Sequence, residues 1–372
     1  MEAPLVLFSR IETASGLYFG RATLNQPASL NALSLEMIDL LWPQLSAWAT
    51  DASIAGVILD ASSEKAFCAG GDVVDLYRSI RAAPPGQVPE RAAAFFEREY
   101  RLDHLIHCYP KPLLAWGHGI VMGGGIGLLA GASHRVVTPK TRFAMPEITI
   151  GLYPDVGGSW FLQRMPGRAG LFLALTGAPL NASDALFAGL ADFALPVDGL
   201  PALLDAIKAQ GWLGEQQADA ARLDHLLLRH ATQELPVSPL REHQPRIDAL
   251  IARDPLAEIA PRLAALASDP DPWLAQAGAS FAKGSPTSAA LSFELQRRTR
   301  HASLAEVFRL EYQASVGCSL QHDFAEGVRA LLVDKDKKPV WQPATLAEVS
   351  PELIAAHLAP HFTGPHPLAD LA

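Results

Sequence analysis

Cysteine is scarce in this chain, and the few cysteines exclude two classes of protein. Only Cys68, Cys108 and Cys318 occur in 372 residues, far apart and odd in number. With no CxxC pair, the sequence indicates neither a disulfide framework nor a zinc site. A reducing compartment fits this usage best. The N-terminus has neither a signal-peptide pattern nor the basic character of a transit peptide, and the sequence therefore predicts a cytoplasmic location.

Charged residues and long apolar runs are also in short supply. Charged residues make up 19% of the chain, and the net charge of −9 argues against nucleic-acid binding. No apolar run reaches the ~18 residues of a membrane-spanning helix, so no membrane partner is expected. The hydrophobic content of 49% suffices for a large core. A small molecule is the remaining partner, and a phosphorylated one would need only a local basic patch.

Three common nucleotide and nucleophile motifs are missing. The chain contains no GxxxxGK[ST] phosphate-binding loop and no GxSxG serine elbow. Gly125–Ala130 resembles a dinucleotide fingerprint, but extra residues separate it from the preceding strand and no acid follows at the required distance. His118 and His134 lack partners at metal-ligand spacing and are interpreted as structural. No metal or bound cofactor is expected.

The first half of the chain alternates short strands, glycine turns and helices. A helix capped by Ser34 is predicted to run to about Thr50, because its apolar residues recur at helical spacing. Buried strands are predicted at Gly56–Asp60 and Leu113–Trp116, after a hairpin of Leu5–Ile11 with Leu17–Leu24. Beyond about Gly158 the chain is mainly alanine- and leucine-rich helix. The sequence thus predicts an α/β fold, with a core at residues 1–200 and a helical C-terminal region at residues 201–372 packed on it.

Two glycine turns each separate a predicted buried strand from a helix. One is Phe67–Asp72, and the other leads into the triple glycine that starts at Gly123. Both are expected at the carboxyl ends of their strands, where open α/β sheets place ligands. Unpaired N–H groups there can hold an anion or an oxygen that becomes one. The alternative is that the glycines only let a helix pack tightly on a sheet.

These turns carry a resemblance to a known family. The segments AFCAGGD at Ala66–Asp72 and GIVMGGGIGLLAGASHRV at Gly119–Val136 resemble the two signature turns of the crotonase (enoyl-CoA hydratase/isomerase) superfamily, and Leu24–Met37 is similar as well. The resemblance implies a crotonase-like ββα spiral core with a helical tail, and a coenzyme A thioester as ligand. It also implies an oxyanion hole formed by the backbone N–H groups of Gly71 and Gly124.

Two further segments resemble one branch of that superfamily, the 3-hydroxyisobutyryl-CoA hydrolases. They are Met145–Gly158, which contains two acids each preceded by proline, and His322–Pro343 in the tail. Simple hydratases carry a glutamate where this chain has Gly127. The branch implies hydrolysis of a 3-hydroxyacyl-CoA to the hydroxy acid and CoA, a step of valine breakdown. The superfamily is often oligomeric, so a homo-oligomer is one expectation.

The resemblance also implies roles for three acids. Glu147 would be either the general base for water or a nucleophile that forms an anhydride. Asp155 would position the water or the substrate hydroxyl, or share the proton load. Glu99 matches a glutamate that contacts substrate. Two acids in one desolvated pocket are expected to titrate as a pair, with one apparent pKa raised.

Each acid also has a structural alternative. Glu147 could be a surface helix cap, Asp155 a turn residue and Glu99 part of a solvated helix face. Asp72 is interpreted as a helix cap and Cys68 as a small buried residue.

Lysines offer candidate contacts to the CoA phosphates, namely Lys65 and the cluster of Lys335, Lys337 and Lys338, although an exposed charged turn describes the cluster better.

Two other functions compete with hydrolysis. One is hydratase or isomerase chemistry with Glu147 alone, and the other is CoA-ester binding without turnover.

Overall fold

The computed structural model describes residues 3–372, so Met1 and Glu2 of the predicted core lie outside the described residues. The described residues form ten strands, in chain order: β1 Val6–Glu12, β2 Tyr18–Leu24, β3 Ile54–Ala61, β4 Ala66–Cys68, β5 Leu113–Gly117, β6 Ile120–Met122, β7 His134–Val137, β8 Arg142–Ala144, β9 Leu180–Asn181 and β10 Phe193–Ala194.

The same residues form sixteen α-helices: α1 Leu35–Thr50, α2 Val73–Ala82, α3 Glu90–His107, α4 Gly124–Ala130, α5 Gly158–Phe161, α6 Ala169–Thr176, α7 Ala182–Ala188, α8 Leu200–Ala209, α9 Gln216–His230, α10 Pro239–Ile251, α11 Leu256–Ala265, α12 Pro272–Lys283, α13 Pro286–Arg298, α14 Leu304–Leu320, α15 His322–Val328 and α16 Pro351–His357. A π-helical turn, Arg329–Val333, continues α15.

The predicted hairpin and first helix are confirmed. β1 and β2 pair in antiparallel register, from Val6 with Leu24 to Glu12 with Tyr18. α1 starts where the cap predicts, because the N–H of Met37 donates to the Ser34 hydroxyl at 3.2 Å. One face of α1 is buried at helical spacing, which gives the helix its place against the hairpin. The members of that face are Leu35, Met37, Ile38, Leu41, Leu45 and Trp48.

Two sheets organise the first part of the fold. The larger has six strands in the order β1-β2-β3-β5-β7-β10, and it is parallel from β2 onward. The smaller has four strands in the order β4-β6-β8-β9, with β4 and β6 parallel. The strands of the larger sheet contribute apolar residues to a core that α8 and α9 complete. Phe19 and Trp212 meet in that core with ring centroids 4.6 Å apart.

The glycine turns do not follow the strands from which they were predicted. The sequence places them directly after the strands at Gly56–Asp60 and Leu113–Trp116, whereas they follow the three-residue strands β4 and β6 of the smaller sheet. This part of the prediction is wrong because a three-residue strand is too short to show a period of two. The glycine turns still lie at the carboxyl ends of two parallel strands, but these strands are β4 and β6.

By its internal contacts the chain forms two compact units, each built from separate stretches of sequence. The paired residues of both sheets belong to the first unit, together with α8 and α9. The predicted boundary at residue 200 and the packing of the tail on the core stay predictions. The first unit comprises residues 3–71, Leu102–Phe143 and Leu180–Ser238, and the second comprises Asp72–Arg101, Ala144–Pro179 and Pro239–Ala372.

The second unit is mainly helical and has an aromatic core of its own. Tyr100 of α3 packs on Phe308 of α14 with ring centroids 5.7 Å apart. Phe96 packs on Phe324 of α15 at 6.5 Å. Within residues 3–372, no helix combines the length and the apolar character needed to span a bilayer.

Candidate active site

Two glycine turns adjoin each other in the first unit, since they leave the neighbouring parallel strands β4 and β6. A Cβ atom placed on Gly70 would lie 3.5 Å from the carbonyl oxygen of Met122. One placed on Gly125 would lie only 2.4 Å from the carbonyl oxygen of Cys68, closer than real side chains approach. Glycine at position 125 therefore allows one turn to pack directly against the strand that leads to the other.

Both predicted oxyanion donors lie on these turns. Gly124 is the first residue of α4, so its N–H has no acceptor within the helix. At the other turn the N–H of Leu33 donates to the carbonyl of Gly70 at 2.8 Å. That bond uses a carbonyl of the turn rather than the N–H of Gly71. The two donors are thus carried by adjoining backbone segments, and their action on an oxyanion stays a prediction.

Two residues next to these glycines, Asp72 and Cys68, have the structural roles predicted for them. Asp72 caps α2, because its carboxylate accepts from the N–H of Asp75 at 3.1 Å. Cys68 is fully buried in β4. Gly127 lies inside α4, where the hydratase pattern would place a glutamate. A proton-transferring side chain is therefore absent at that position.

Glu147 is a buried acid in the second unit. It begins a 3₁₀ turn, Glu147–Ile150, and is 5% exposed. Its Oε2 atom has no hydrogen-bond partner among the described residues. Burial, and next the charge of Asp155, raise the pKa of Glu147 well above its usual range. A surface helix cap is excluded, and a buried oxygen without a partner is suited to meet a ligand or water.

Asp155 is buried in the loop that leads to α5, in the same unit. Its Oδ2 accepts from the hydroxyl of Tyr100 at 2.6 Å. Burial raises the pKa of Asp155 to about 6, although the hydrogen bond from Tyr100 opposes the rise. Asp155 is also a turn residue, since its carbonyl accepts from the N–H of Gly158 at 2.7 Å. The backbone carbonyl of Asp155 therefore belongs to the turn, while its carboxylate accepts from Tyr100. Both Glu147 and Asp155 have raised pKa values.

A third buried carboxylate, Glu311 of α14, was missed by sequence reasoning. It accepts from the N–H of Gly157 at 2.7 Å and from that of Ser159 at 2.8 Å. Burial, and next the charge of Asp155, raise the pKa of Glu311 to about 8. One signal was available in the sequence: an acid stands between Phe308 and Ser315 on the face that α14 buries. A carboxylate on a buried helical face needs partners and indicates a site.

Hydroxyl groups link the acids of this cluster. The Ser315 hydroxyl lies 2.6 Å from the hydroxyl of Tyr100 and 2.8 Å from that of Tyr153. Tyr153 in turn donates to the backbone carbonyl of Glu311 at 2.6 Å. The carboxylate of Asp155 is thereby joined through Tyr100 to α14. All these groups belong to the second unit.

Glu99 lies next to Tyr100 on α3 and is 2% exposed. The alternative that Glu99 lies on a solvent-exposed helix face is therefore excluded. Its predicted contact with substrate stays a prediction. The lysines considered for the CoA phosphates, Lys65 and the 335–338 cluster, are exposed.

Comparison with known proteins decides the family. Residues 19–358 match the family described as enoyl-CoA hydratase/isomerase. This chain belongs to the enoyl-CoA hydratase/isomerase family. Over 337 residues it is 42% identical to the mitochondrial 3-hydroxyisobutyryl-CoA hydrolase of Gallus gallus, covering 90% of this chain and 85% of the relative. The human protein of that name is 37% identical over 346 residues, covering 91% of this chain and 85% of the relative.

Solved structures of the family confirm the predicted fold class. A carnitinyl-CoA dehydratase from Mycobacterium thermoresistibile aligns with a TM-score of 0.85 and 37% identity, over 99% of each chain. An enoyl-CoA hydratase from Rhodobacter sphaeroides 2.4.1 aligns with a TM-score of 0.82 and 36% identity, over 96% of this chain and 98% of that one. The α/β core with a long helical C-terminal region is therefore shared along nearly the whole chain.

The predicted cytoplasmic location is wrong, because the relatives from chicken and man are mitochondrial proteins. The prediction relied on cysteine usage and on an N-terminus without a signal-peptide pattern or the basic character of a transit peptide. A low cysteine content argues only against a disulfide-rich secreted protein. It does not distinguish the cytoplasm from an organelle.

The buried acids predict a pH-dependent stability for Asp155→Asn. The pKa of Asp155 is about 6 in the folded protein against 3.8 for the free group, so the wild type loses stability as pH rises from about 4 to 6. The asparagine amide is neutral and keeps an acceptor for Tyr100. The variant should be more stable than the wild type by up to about 3 kcal/mol at pH 8. This gain should vanish near pH 4, as measured by urea unfolding, and an equal gain at both pH values would contradict the prediction.

Proposed function

We propose that this protein hydrolyses a short 3-hydroxyacyl-CoA thioester, with 3-hydroxyisobutyryl-CoA as the preferred substrate, to the free hydroxy acid and CoA. The observation that carries the proposal is the pair of buried acids, Glu147 and Asp155, combined with a glycine at position 127. Relatives about 40% identical over most of the chain are 3-hydroxyisobutyryl-CoA hydrolases. With that substrate the reaction is a step of valine breakdown.

Hydrolysis requires stabilisation of a negative oxygen. Attack on the thioester carbonyl gives a tetrahedral oxyanion, and the N–H groups of Gly71 and Gly124 are proposed to donate to it. Each such donor contributes ~3 kcal/mol, since it is fixed before the charge develops. CoA enters as part of the substrate, and no further cofactor is proposed.

Glu147 is proposed to start the reaction by one of two routes. As a general base it takes a proton from water, whose oxygen bonds to the carbonyl carbon; collapse of the tetrahedral oxyanion then breaks the C–S bond and expels the CoA thiolate. As a nucleophile it forms a mixed anhydride and expels the CoA thiolate, and water then cleaves the anhydride. In both routes the thiolate finally gains a proton. Its raised pKa makes Glu147 a stronger base once ionised.

Asp155 is proposed to hold the attacking water or to share the proton load, and Glu99 to contact the acyl group. A pKa of about 6 lets Asp155 exchange a proton near neutral pH. Tyr100 orients the Asp155 carboxylate through its hydrogen bond.

Hydration of an enoyl-CoA is the second candidate, because two solved structures at 36–37% identity bear dehydratase and hydratase names. Gly127 argues against it, since the hydratase pattern uses two glutamates and glycine transfers no proton. Crotonyl-CoA separates the two reactions, because hydration lowers its enoyl-thioester absorbance without freeing CoA, whereas hydrolysis releases a thiol that a thiol reagent detects.

Glu147→Gln is expected to lower kcat for CoA release from 3-hydroxyisobutyryl-CoA by at least about 100-fold, because the amide is neither base nor nucleophile. KM should stay within about 3-fold of the wild-type value, since the side-chain volume is unchanged. A thiol reagent follows the release. Glu306→Gln, at the exposed start of α14, is the matched control and should keep wild-type kcat. Fast hydrolysis by Glu147→Gln would contradict the proposal.

The pH profile of Asp155→Asn tests the coupling of the two acids. The charge of Asp155 raises the pKa of Glu147. Replacing the Asp155 carboxylate with the neutral asparagine amide should therefore lower the pKa of Glu147. The residual hydrolysis of the variant should therefore persist to lower pH than that of the wild type. The measurement is kcat/KM for CoA release between about pH 5 and pH 9, roughly two units on either side of neutrality. If kcat/KM of the variant falls at the same acidic pH as that of the wild type, the charge of Asp155 does not shift the pKa of Glu147.

A further inference from the structure

We propose that Glu311 is a positioning residue for catalysis, which fixes the loop of Asp155 through two backbone N–H groups. The inference rests on the proposed function, because it gives Glu311 a task only if Asp155 has one. Glu311 itself need not touch substrate or the reacting atoms.

The two hydrogen bonds lie just beyond Asp155 in the chain. Glu311 Oε2 accepts from the N–H of Gly157 at 2.7 Å, and Oε1 accepts from that of Ser159 at 2.8 Å. Hydrogen bonds to a carboxylate are stronger than those between neutral groups. One rigid carboxylate thus spans the start of α5 and determines where the chain leaves the catalytic loop.

The loop has a backbone conformation that requires such support. Val156 has a φ of +52° and Gly157 a φ of +83°, so two consecutive residues are left-handed. The conformation is unfavourable for valine, whose β-branched side chain crowds the backbone. Residues of this kind persist where the surrounding structure holds them, and they occur often at active sites. Asp155 immediately precedes the strained pair.

The same helix also reaches the side chain of Asp155. Ser315 lies one helical turn after Glu311 on α14, and its hydroxyl is 2.6 Å from that of Tyr100. Tyr100 donates to Asp155 Oδ2 at 2.6 Å. α14 therefore fixes the backbone after Asp155 through Glu311, and the carboxylate of Asp155 through Ser315 and Tyr100.

Burying the carboxylate of Glu311 costs free energy, which indicates that its hydrogen bonds do more than fill space. The residue is fully buried, and burial together with the charge of Asp155 disfavours its ionised form. An apolar residue would fill this place at lower cost if packing were the only requirement. The carboxylate is the group that can accept from both N–H groups at once.

The chain contains a matched control for this arrangement. Asp219 is also fully buried, and it accepts from the N–H groups of Leu213 and Gly214 at 2.9 and 2.8 Å. Gly214 is left-handed, with a φ of +75°. Asp219 belongs to the first unit, apart from the acid cluster of the second. Asp219 also lies 3.6 Å from Arg222, so Asp219→Asn reports what the loss of a loop anchor together with its ion pair does to stability outside the acid cluster.

The test compares the full-length wild type with Glu311→Gln, Asp219→Asn, Asp155→Asn and the double variant Glu311→Gln/Asp155→Asn. The glutamine amide keeps one acceptor and presents N–H donors where the second acceptor was. Release of CoA from 3-hydroxyisobutyryl-CoA gives kcat and KM, and thermal unfolding gives Tm. A displaced catalytic group commonly lowers the rate by about 100-fold.

We expect Glu311→Gln to lower kcat about 10- to 100-fold with KM within about 3-fold of wild type. Asp219→Asn should lower Tm but leave kcat within about 2-fold. In the Asp155→Asn background, Glu311→Gln should lower kcat by less than about 2-fold further, because a residue that acts through Asp155 has nothing left to position.

Two results would overturn the inference while leaving the proposed function intact. One is a wild-type kcat in Glu311→Gln when Asp155→Asn is impaired. The other is an equal fold-loss from Glu311→Gln in both backgrounds. If Glu311→Gln does not fold, Glu311→Asp replaces it in the same comparison, since it keeps the charge but shortens the reach. A folded wild type that releases no CoA would instead refute the proposed function. An Asp155→Asn variant with full kcat would refute the role proposed for Asp155 and, with it, the inference about Glu311.

Discussion

Burial of several acids without a basic partner is the constraint on which the candidate site depends. Among the described residues, the groups that shift the pKa values of Glu147, Asp155 and Glu311 include no lysine, arginine or histidine. Their charges can be balanced only by protons and by N–H or O–H donors. Asp155 has a tyrosine hydroxyl and Glu311 has two backbone N–H groups, whereas Oε2 of Glu147 has no partner.

The three acids therefore differ in the number of hydrogen bonds that their carboxylates accept. The best-bonded carboxylate, Glu311, is suited to hold structure, and the least-bonded one, Glu147, is suited to react. Asp155 is intermediate, with one hydrogen bond and a pKa of about 6. Helix α14, far along the chain, supplies Glu311 and also Ser315, whose hydroxyl is linked to Asp155 through Tyr100. The helical tail therefore contributes to the buried acid cluster as well as to the aromatic core of the second unit.

Local sequence patterns predicted much of the fold because their causes are local. The cap at Ser34 and the apolar spacing behind it define α1 without reference to the rest of the chain. The hairpin of β1 and β2 follows from strand periodicity and a glycine turn. The short strands β4 and β6 were not predicted, since they exist only through pairing with neighbours in the smaller sheet. The same dependence explains why the glycine turns were assigned to the wrong strands.

The sequence by itself determined the residue types at the two glycine turns, the order of the two acids and, through the motifs around them, the family. Those features are written in short stretches of chain, so they can be read in order. Only the tertiary structure decided which acids are buried, what each accepts and how far its pKa moves. The physical reason is that solvation and hydrogen bonding depend on groups that are close in space and distant in sequence. Glu311 reaches a backbone N–H 154 residues away, and no local pattern around either residue contains that contact.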